Sequence, residues 1–167
     1  MNVAIRALSY DDVDSVTAIY REASTARAPD EIDEAVTREM MRGAIETGVA
    51  LAAIEDDRLI GFVLAPRHPV RRLSHVITNV LICLEPSARG RGIGRQLMAE
   101  MMTRATQTAW CERIEFFVRS SNARAIALYQ SLGFEIEGRL RARVATDEGG
   151  RQDDLQMGWL VPRARHA

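Results

Sequence analysis

The chain has 167 residues, of which 47% are hydrophobic and 27% are charged, a composition typical of one globular domain with a sizeable core. Its formal net charge is −1, so no overall field favours nucleic acid or an anionic membrane as a partner. It shows no run of about 18 apolar residues that could span a bilayer and no secretory signal pattern. We therefore expect a single domain over residues 1–167, located in the cytoplasm.

The N-terminal part predicts a strand and two helices. Residues 3–8 alternate apolar and polar side chains, which indicates a strand. Ser9 is a suitable N-cap for the helix that follows. That helix carries its apolar side chains on one side, at Val13, Val16, Ile19 and Tyr20. After a break at residues 26–30, a second helix ending near Gly48 is indicated by apolar residues at four-residue spacing, namely Ile32, Val36 and Met40.

The middle of the chain predicts three strands. Residues 49–54 and 59–64 are apolar runs separated by the short polar stretch 55–58, which indicates a hairpin. A polar connector with two prolines follows at residues 66–72. Residues 75–84 then predict one long fourth strand, which ends at a glycine-rich turn.

The C-terminal half alternates helices and strands. We expect a long helix, a strand, a second helix and two more strands at 93–105, 113–118, 122–132, 134–144 and 152–161. A turn at 147–150 joins the last two strands. About seven strands and four helices in this order favour an α/β fold built on a mixed central sheet.

The glycine-rich turn Arg89–Gly94 lies between the predicted fourth strand and the long helix. Three glycines let the backbone bend tightly, and the helix start adds unpaired N–H groups and the positive end of its dipole. Such a turn binds phosphate. The chain contains no lysine, which excludes a G-x-x-x-x-G-K-S/T loop, and Arg95 stands where a dinucleotide turn needs its third glycine. The alternative is a turn shaped by glycines, with arginines that are merely solvated.

The turn reads R-x-x-G-x-G and therefore resembles the signature of the Gcn5-related N-acetyltransferase (GNAT) family. Residues 122–134 are similar to a second family element, N-x-x-A-x-x-L-Y-x-x-x-G-F, and residues 153–160 are similar to the closing strand of many members. The resemblance covers nearly the whole chain. It implies the GNAT fold, with the fourth and fifth strands splayed apart, and acetyl-coenzyme A as the acetyl donor. The coenzyme pyrophosphate would be held by Arg89, Gly90, Arg91, Gly92, Ile93, Gly94 and Arg95.

The resemblance also implies a reaction site. In the family the pantetheine arm lies along the edge of the fourth strand, which here is Ile82, Cys83 and Leu84, and the N–H of Ile82 or Leu84 would polarise the thioester carbonyl. Tyr129 would protonate the departing thiolate, since a phenol with a pKa near 10 can do so. Its alternative role is that of a core aromatic. Asn122 would donate to the pantetheine arm, or serve only as a helix N-cap.

The general base stays open. Many family members place a glutamate early on the fourth strand, where this chain has Thr78-Asn79. The candidates are a chain of waters or one of four side chains, namely His75, Glu115, Asp153 and Asp154. The three histidines form no metal-binding pattern, so no metal is expected. Cys83 and Cys111 both fall in apolar segments and are expected to be buried thiols.

Three functions compete. The first is an N-acetyltransferase that acts on a primary amine of a small molecule or amino acid by direct attack. The second uses the same chemistry on a protein or peptide amine. The third is a module that binds coenzyme A without transferring the acetyl group. No nucleic-acid or membrane partner is expected. Dimers are common in the resembled family, which leaves a homodimer open.

Overall fold

A computed structural model describes residues 3–23, 33–146 and 149–162. The predicted break at 26–30, the predicted helical residue Ile32 and residues 147–148 of the predicted turn lie outside this part. Four α-helices are described: α1 Val13–Ala23, α2 Glu34–Thr47, α3 Ile93–Gln107 and α4 Ala123–Ser131. Eight strands are described: β1 Ala4–Ala7, β2 Val49–Glu55, β3 Arg58–Ala65, β4 Val76–Ile77, β5 Leu81–Leu84, β6 Arg113–Arg119, β7 Glu135–Ala145 and β8 Arg151–Leu160. None of these helices is both long and apolar enough to cross a bilayer.

The described residues form two compact units, each with a four-stranded sheet. The first unit comprises described residues within 1–67 and 81–108, and its strand order is β1-β2-β3-β5. The second comprises described residues within 68–80 and 109–167, with the order β4-β6-β8-β7. The prediction of an α/β fold with four helices is confirmed. The expected strands are arranged in two sheets of four rather than in one sheet of about seven.

Helices pack on both faces of the first sheet. A core cluster joins α1 and α2 to one set of strand side chains, including Ala52 on β2 and Phe62 on β3. Helix α3 packs against the same two strands, and its buried residues repeat along one side at Ile93, Leu97, Met98, Met101 and Ala105. Because both faces are covered, β2 and β3 read as continuous apolar runs rather than as alternating patterns.

The hairpin between β2 and β3 turns at Asp56 and Asp57. Both residues have positive φ angles, of 48° and 60°, as a two-residue type I′ turn requires. The turn leaves Glu55 and Arg58 directly opposite each other across the ladder. The predicted hairpin is therefore confirmed, with its strands one residue longer on the turn side.

The predicted long fourth strand at 75–84 is wrong, because the chain breaks there into two strands. Strand β4 pairs in parallel with β6, whereas β5 pairs antiparallel with β3 in the other sheet. Between them Asn79 has φ 50°, a left-handed conformation that asparagine adopts more readily than most residues. The left-handed conformation of Asn79 ends the extended backbone of β4. The apolar sequence pattern of residues 75–84 gives no indication of this break.

The second unit is built on the antiparallel strands β6, β8 and β7. Its core is aromatic, with the ring of Phe116 on β6 in edge-on contact with Tyr129 on α4 and Phe134 after it. Gly133 has φ 95° and ends the helix before Phe134, as glycine does at many helix C-termini. The predicted strands and helix of this region agree with the structure to within one residue at each end.

Candidate functional site

One edge of β5 is unpaired within the described part of the chain. The sheet order places β5 last, with β3 as its neighbour. The Glu85 N–H donates to the Ile60 carbonyl over 3.0 Å, so Glu85 and Ile60 are a hydrogen-bonded pair. In an antiparallel ladder such pairs alternate along the strand. Cys83, paired with Phe62, therefore turns its backbone groups toward β3.

By the same alternation, Ile82 and Leu84 turn their N–H and C=O groups toward the unpaired edge. The Leu84 carbonyl accepts a hydrogen bond from Arg89 Nε over 3.2 Å, which engages that acceptor. The edge thus presents the N–H of Ile82, the C=O of Ile82 and the N–H of Leu84. An extended chain with amide groups could pair with these as a further strand does.

The glycine-rich turn follows β5 within the same unit. After the short 3-10 turn Pro86–Ala88, Gly90 and Gly92 have φ angles of 80° and 81°. Gly92 is the N-cap of α3 and accepts the N–H of Gln96 through its carbonyl. An added Cβ at Gly92 would meet no atom within 4 Å, so its backbone angle, and not crowding, requires glycine there.

The start of α3 gives this turn its anion-binding character. The N–H groups of Ile93 and Gly94 belong to the first turn of a 15-residue helix, and such groups have no acceptor within their own helix. Together with the left-handed glycines, they form a concave set of donors at the positive end of the helix dipole. Donors arranged in this way suit an anion, and the predicted binding of phosphate by this turn stays a prediction.

The arginines of the turn have different contacts. Arg89 donates to the Leu84 carbonyl. Arg91 forms a two-pronged ion pair with Glu55 at the end of β2, with Nη1 2.9 Å from Oε2 and Nη2 bonded to Oε1. That contact lowers the pKa of the Glu55 carboxyl. The guanidinium of Arg91 is thus engaged with a carboxylate, although the sequence suggested that it faces phosphate.

Tyr129 lies in the second unit, where its side chain is buried in the aromatic core. Its ring centroid is 4.7 Å from that of Phe116 and 6.2 Å from that of Phe134. Its carbonyl accepts the N–H groups of Leu132 and Phe134, each over 3.0 Å. The residue therefore has a packing role, and its predicted role as an acid stays a prediction.

Asn122 is the N-cap of α4. Its side-chain oxygen accepts the Ala125 N–H over 3.1 Å, as the cap interpretation predicts. The cap uses the oxygen of the amide and not its NH₂ group, so the same side chain can still donate to a ligand. The predicted contact with the pantetheine arm stays a prediction.

The carboxylates proposed as general base all contact arginine. Glu115 accepts from Arg113 Nε over 2.7 Å, and the buried Asp154 accepts from Arg119 Nη1 over the same distance. Asp153 accepts the Ala142 N–H over 2.7 Å and Arg139 Nε over 2.6 Å; these two bonds hold its pKa below the usual aspartate range. For Asp153, this stabilisation of the anion makes the carboxylate a weaker proton acceptor.

Burial constrains the cysteine chemistry. Cys83 lies in the core cluster of the first unit, and burial raises the pKa of its thiol to about 12. Burial also raises the pKa of the Cys111 thiol. Both shifts disfavour the thiolate form, which argues against either cysteine as a nucleophile. Within the described ranges, no group of three or more His, Cys, Asp and Glu side chains could hold a metal ion.

Sequence reasoning missed Glu55 altogether. It stands 36 positions before Arg91 and looks like an ordinary solvated residue beside a hairpin turn. The only available signal was its place as the first residue of the polar stretch 55–58 between two predicted strands, which does not indicate what it contacts.

Comparison with known proteins supports this interpretation of the fold. The family model described as Acetyltransferase (GNAT) family matches residues 13–134. A crystal structure of a GNAT superfamily phosphinothricin acetyltransferase from Sinorhizobium meliloti, in complex with AcCoA, superposes with a TM-score of 0.87 at 24% identity, covering 100% of this chain and 92% of that one.

Two curated relatives match part of the chain. A [Ribosomal protein bS18]-alanine N-acetyltransferase from Salmonella typhimurium is 35% identical over 106 residues, which are 61% of this chain and 64% of the relative. A mycothiol acetyltransferase from Brachybacterium faecium is 30% identical over 99 residues, which are 59% of this chain but 30% of the relative. The match thus spans less than two thirds of either relative. The matched family model extends from α1 to Phe134, and the chain belongs to the acetyltransferase (GNAT) family.

Proposed function

We propose that this protein transfers an acetyl group from acetyl-coenzyme A to a primary amine of a small molecule or amino acid, by direct attack of the amine. The observation that supports it most is the unpaired edge of β5, with the outward N–H groups of Ile82 and Leu84, followed directly by the turn Arg89–Gly94 at the start of α3. One segment of chain thus carries donors suited to amide groups and donors suited to phosphate.

The proposed donor site is made of backbone. The N–H groups of Gly92, Ile93, Gly94 and Arg95 would bind the pyrophosphate, since helix N-termini and left-handed glycine turns suit anions. The Ile82 carbonyl and one edge N–H would pair with the amides of the pantetheine arm. Acetyl-coenzyme A supplies the acetyl group as a thioester, which an amine can attack.

Ile82 or Leu84 would supply the electrophilic assistance. As the amine attacks, negative charge develops on the thioester oxygen, and a backbone N–H already fixed by the sheet can stabilise it without rearrangement. The loss of one such donor typically raises the barrier by about 2.7–4 kcal/mol. The outward direction of these two N–H groups supports this role, and Cys83 between them contributes no outward donor.

Tyr129 is proposed as the acid that protonates the thiolate, on the strength of its match to the tyrosine of the family element. Proton removal from the attacking amine falls to His75 or to water, because the three carboxylate candidates are held by arginine. A neutral amine that attacks directly needs no covalent acyl-enzyme, and the burial of both cysteines is consistent with that.

A protein or peptide amine is the second candidate for the acceptor. The ribosomal-protein relative is named for an alanine of a protein, whereas the mycothiol relative is named for a small molecule. Their matched lengths do not favour one class over the other. A coenzyme A-binding module without transferase activity is the third candidate.

Measurement of the free thiol released from acetyl-coenzyme A distinguishes the three candidate functions. Purified protein is incubated with acetyl-coenzyme A and a panel of amino acids, small amines and peptides with free N-termini, and the free thiol is measured. Release with small amines supports the proposal, and release with peptides alone supports the second candidate. Absence of release with every acceptor, together with coenzyme A binding by calorimetry, would favour the binding module.

A further inference from the structure

The tip of the β2–β3 hairpin is connected to the glycine-rich turn by an ion pair. Glu55 is the last residue of β2, and its carboxylate binds both terminal nitrogens of Arg91. The Glu55 side chain is 11% exposed and that of Arg91 is 35% exposed, so the carboxylate is partly shielded from water while the guanidinium stays accessible. Two-pronged arginine–carboxylate contacts also have fixed geometry. We call this contact the Glu55–Arg91 clasp.

A second, weaker pair connects the same two regions. Arg58, opposite Glu55 in the hairpin, donates to Glu85 over 3.0 Å, and Ser87 donates to the other oxygen of Glu85 over 2.6 Å. Arg58 is 71% exposed, and an exposed pair of this kind contributes little. The clasp is therefore the main side-chain tie between the hairpin tip and the turn among the described residues.

The clasp holds a residue that has a glycine on each side. Arg91 stands between Gly90 and Gly92, whose φ angles are 80° and 81°. Glycines have the largest backbone freedom, so a turn with glycine on both sides of one residue is costly to order. By fixing that residue, the clasp reduces the ordering that a bound phosphate would otherwise have to impose.

We propose that Glu55 is a positioning residue for the coenzyme phosphates: it holds Arg91 so that the N–H groups of the turn face the ligand. This inference rests on the proposed function, because it assumes that the turn binds the pyrophosphate of coenzyme A. Arg91 then acts through its backbone and its bond to Glu55, and not as a charge on the phosphate.

Two explanations of the clasp predict opposite results for Glu55→Gln. If the charges alone mattered, removal of an acidic group near an anion site would strengthen coenzyme binding, and the released Arg91 would strengthen it further. If the clasp positions the turn, the same change weakens binding. The sign of the effect therefore decides between them.

The experiment measures the dissociation constants of coenzyme A and of pantetheine, which lacks the pyrophosphate and the nucleotide, by calorimetry and by displacement. We expect Glu55→Gln to weaken coenzyme A binding roughly tenfold, the cost of ordering about one or two flexible groups. Pantetheine binding should change less than about twofold. Glu39→Gln is the matched control, because Glu39 forms a similar two-pronged pair with Arg42 on α2, outside the turn.

Arg91→Gln completes a double-mutant cycle. If the clasp acts as a unit, Arg91→Gln weakens coenzyme A binding as much as Glu55→Gln does, and the double variant is no weaker than either single variant. Thermal unfolding of each variant without ligand shows that the fold is kept. Unchanged or tighter coenzyme A binding by Glu55→Gln overturns the inference.

The affinities of the wild-type protein for coenzyme A and for pantetheine distinguish failure of this inference from failure of the proposed function. If it binds coenzyme A more tightly than pantetheine, the pyrophosphate site exists, and a null result for Glu55→Gln removes only the role of Glu55. If it binds the two equally, the pyrophosphate site is absent, and both the proposed function and the positioning role are overturned.

Discussion

Replacement of Ile82 by proline would remove one N–H from the unpaired edge of β5 and leave the ladder to β3 intact. The register and the Glu85–Ile60 bond place Ile82 at a position that donates no hydrogen bond to β3. Proline is tolerated in edge strands where its missing N–H would face outward. Its fixed φ near −65° is also compatible with extended backbone. The variant is therefore expected to fold.

The size of the effect follows from the two roles that this N–H can have. If it stabilises the developing oxyanion, its loss costs about 2.7–4 kcal/mol of barrier, or about 100- to 1,000-fold in kcat. If it pairs only with an amide of the pantetheine arm, the loss appears mainly in coenzyme affinity. Leu84→Pro tests the other outward N–H in the same way. One of the two variants should lose turnover at saturating donor.

Two controls make the comparison specific. Ile82→Ala removes most of the half-buried side chain but keeps the N–H, so its kcat should stay within a few-fold of wild type. Cys83→Pro removes an N–H that faces Phe62, so it breaks a hydrogen bond of the ladder and should destabilise the sheet. The assay is thiol release at saturating acetyl-coenzyme A, with chemical unfolding in parallel. Wild-type kcat in both folded variants, Ile82→Pro and Leu84→Pro, would refute the proposed carbonyl activation.

Three further outcomes are expected. Tyr129→Phe keeps the ring contact with Phe116 and should change the free energy of unfolding by no more than about 1–2 kcal/mol. If the phenol is the acid, kcat should fall about 100- to 10,000-fold. Unchanged turnover across the pH range would exclude that role. Gly92→Ala should cost about 1–2 kcal/mol, because φ is 81° and nothing crowds the new Cβ, and Gly92→Asn should cost less; equal unfolding free energies would contradict this. The bonds from Arg6 lower the pKa of Asp12, so their stabilisation is present above its unfolded pKa of about 3.9 and is lost as pH falls through the folded pKa. Asp12→Asn should therefore be less stable than wild type at neutral pH, and the difference should vanish in strong acid; a difference that grows on acidification would contradict the assignment.

Local patterns predicted the elements well where one physical cue decided the structure. The hairpin at Asp56–Asp57, the helix after Gly92 and the N-cap at Asn122 each depend on residues adjacent in sequence. The break at Asn79 was missed because the residues around it are apolar on both sides, and a single left-handed residue does not disturb that pattern. The sequence therefore predicted a single strand at residues 75–84, whereas the structure has two strands there, one in each sheet.

The backbone conformation of the candidate site could be predicted from the sequence. The contacts of its side chains could be predicted less well. Glycine spacing identified a tight turn with left-handed residues at Gly90 and Gly92, since such φ angles restrict the residue type. The partner of Arg91 could not be found in this way, because ion pairs between distant segments depend on the tertiary fold. For the same reason, the sequence did not reveal that Glu115, Asp153 and Asp154 each contact an arginine.

Residues 68–80 belong to the second unit but lie in sequence between two segments of the first. This arrangement has a consequence for the order in which the chain can fold. Strand β4 comprises only Val76–Ile77, and its partner β6 begins at Arg113, more than thirty positions later. A strand this short has no stability alone, so it must wait for β6 as the chain leaves the ribosome. Strand β5, by contrast, pairs with β3, which precedes it in the chain by fewer positions than separate β4 from β6. We therefore expect the first sheet to close before the second, with the two residues of β4 among the last to be protected from hydrogen exchange.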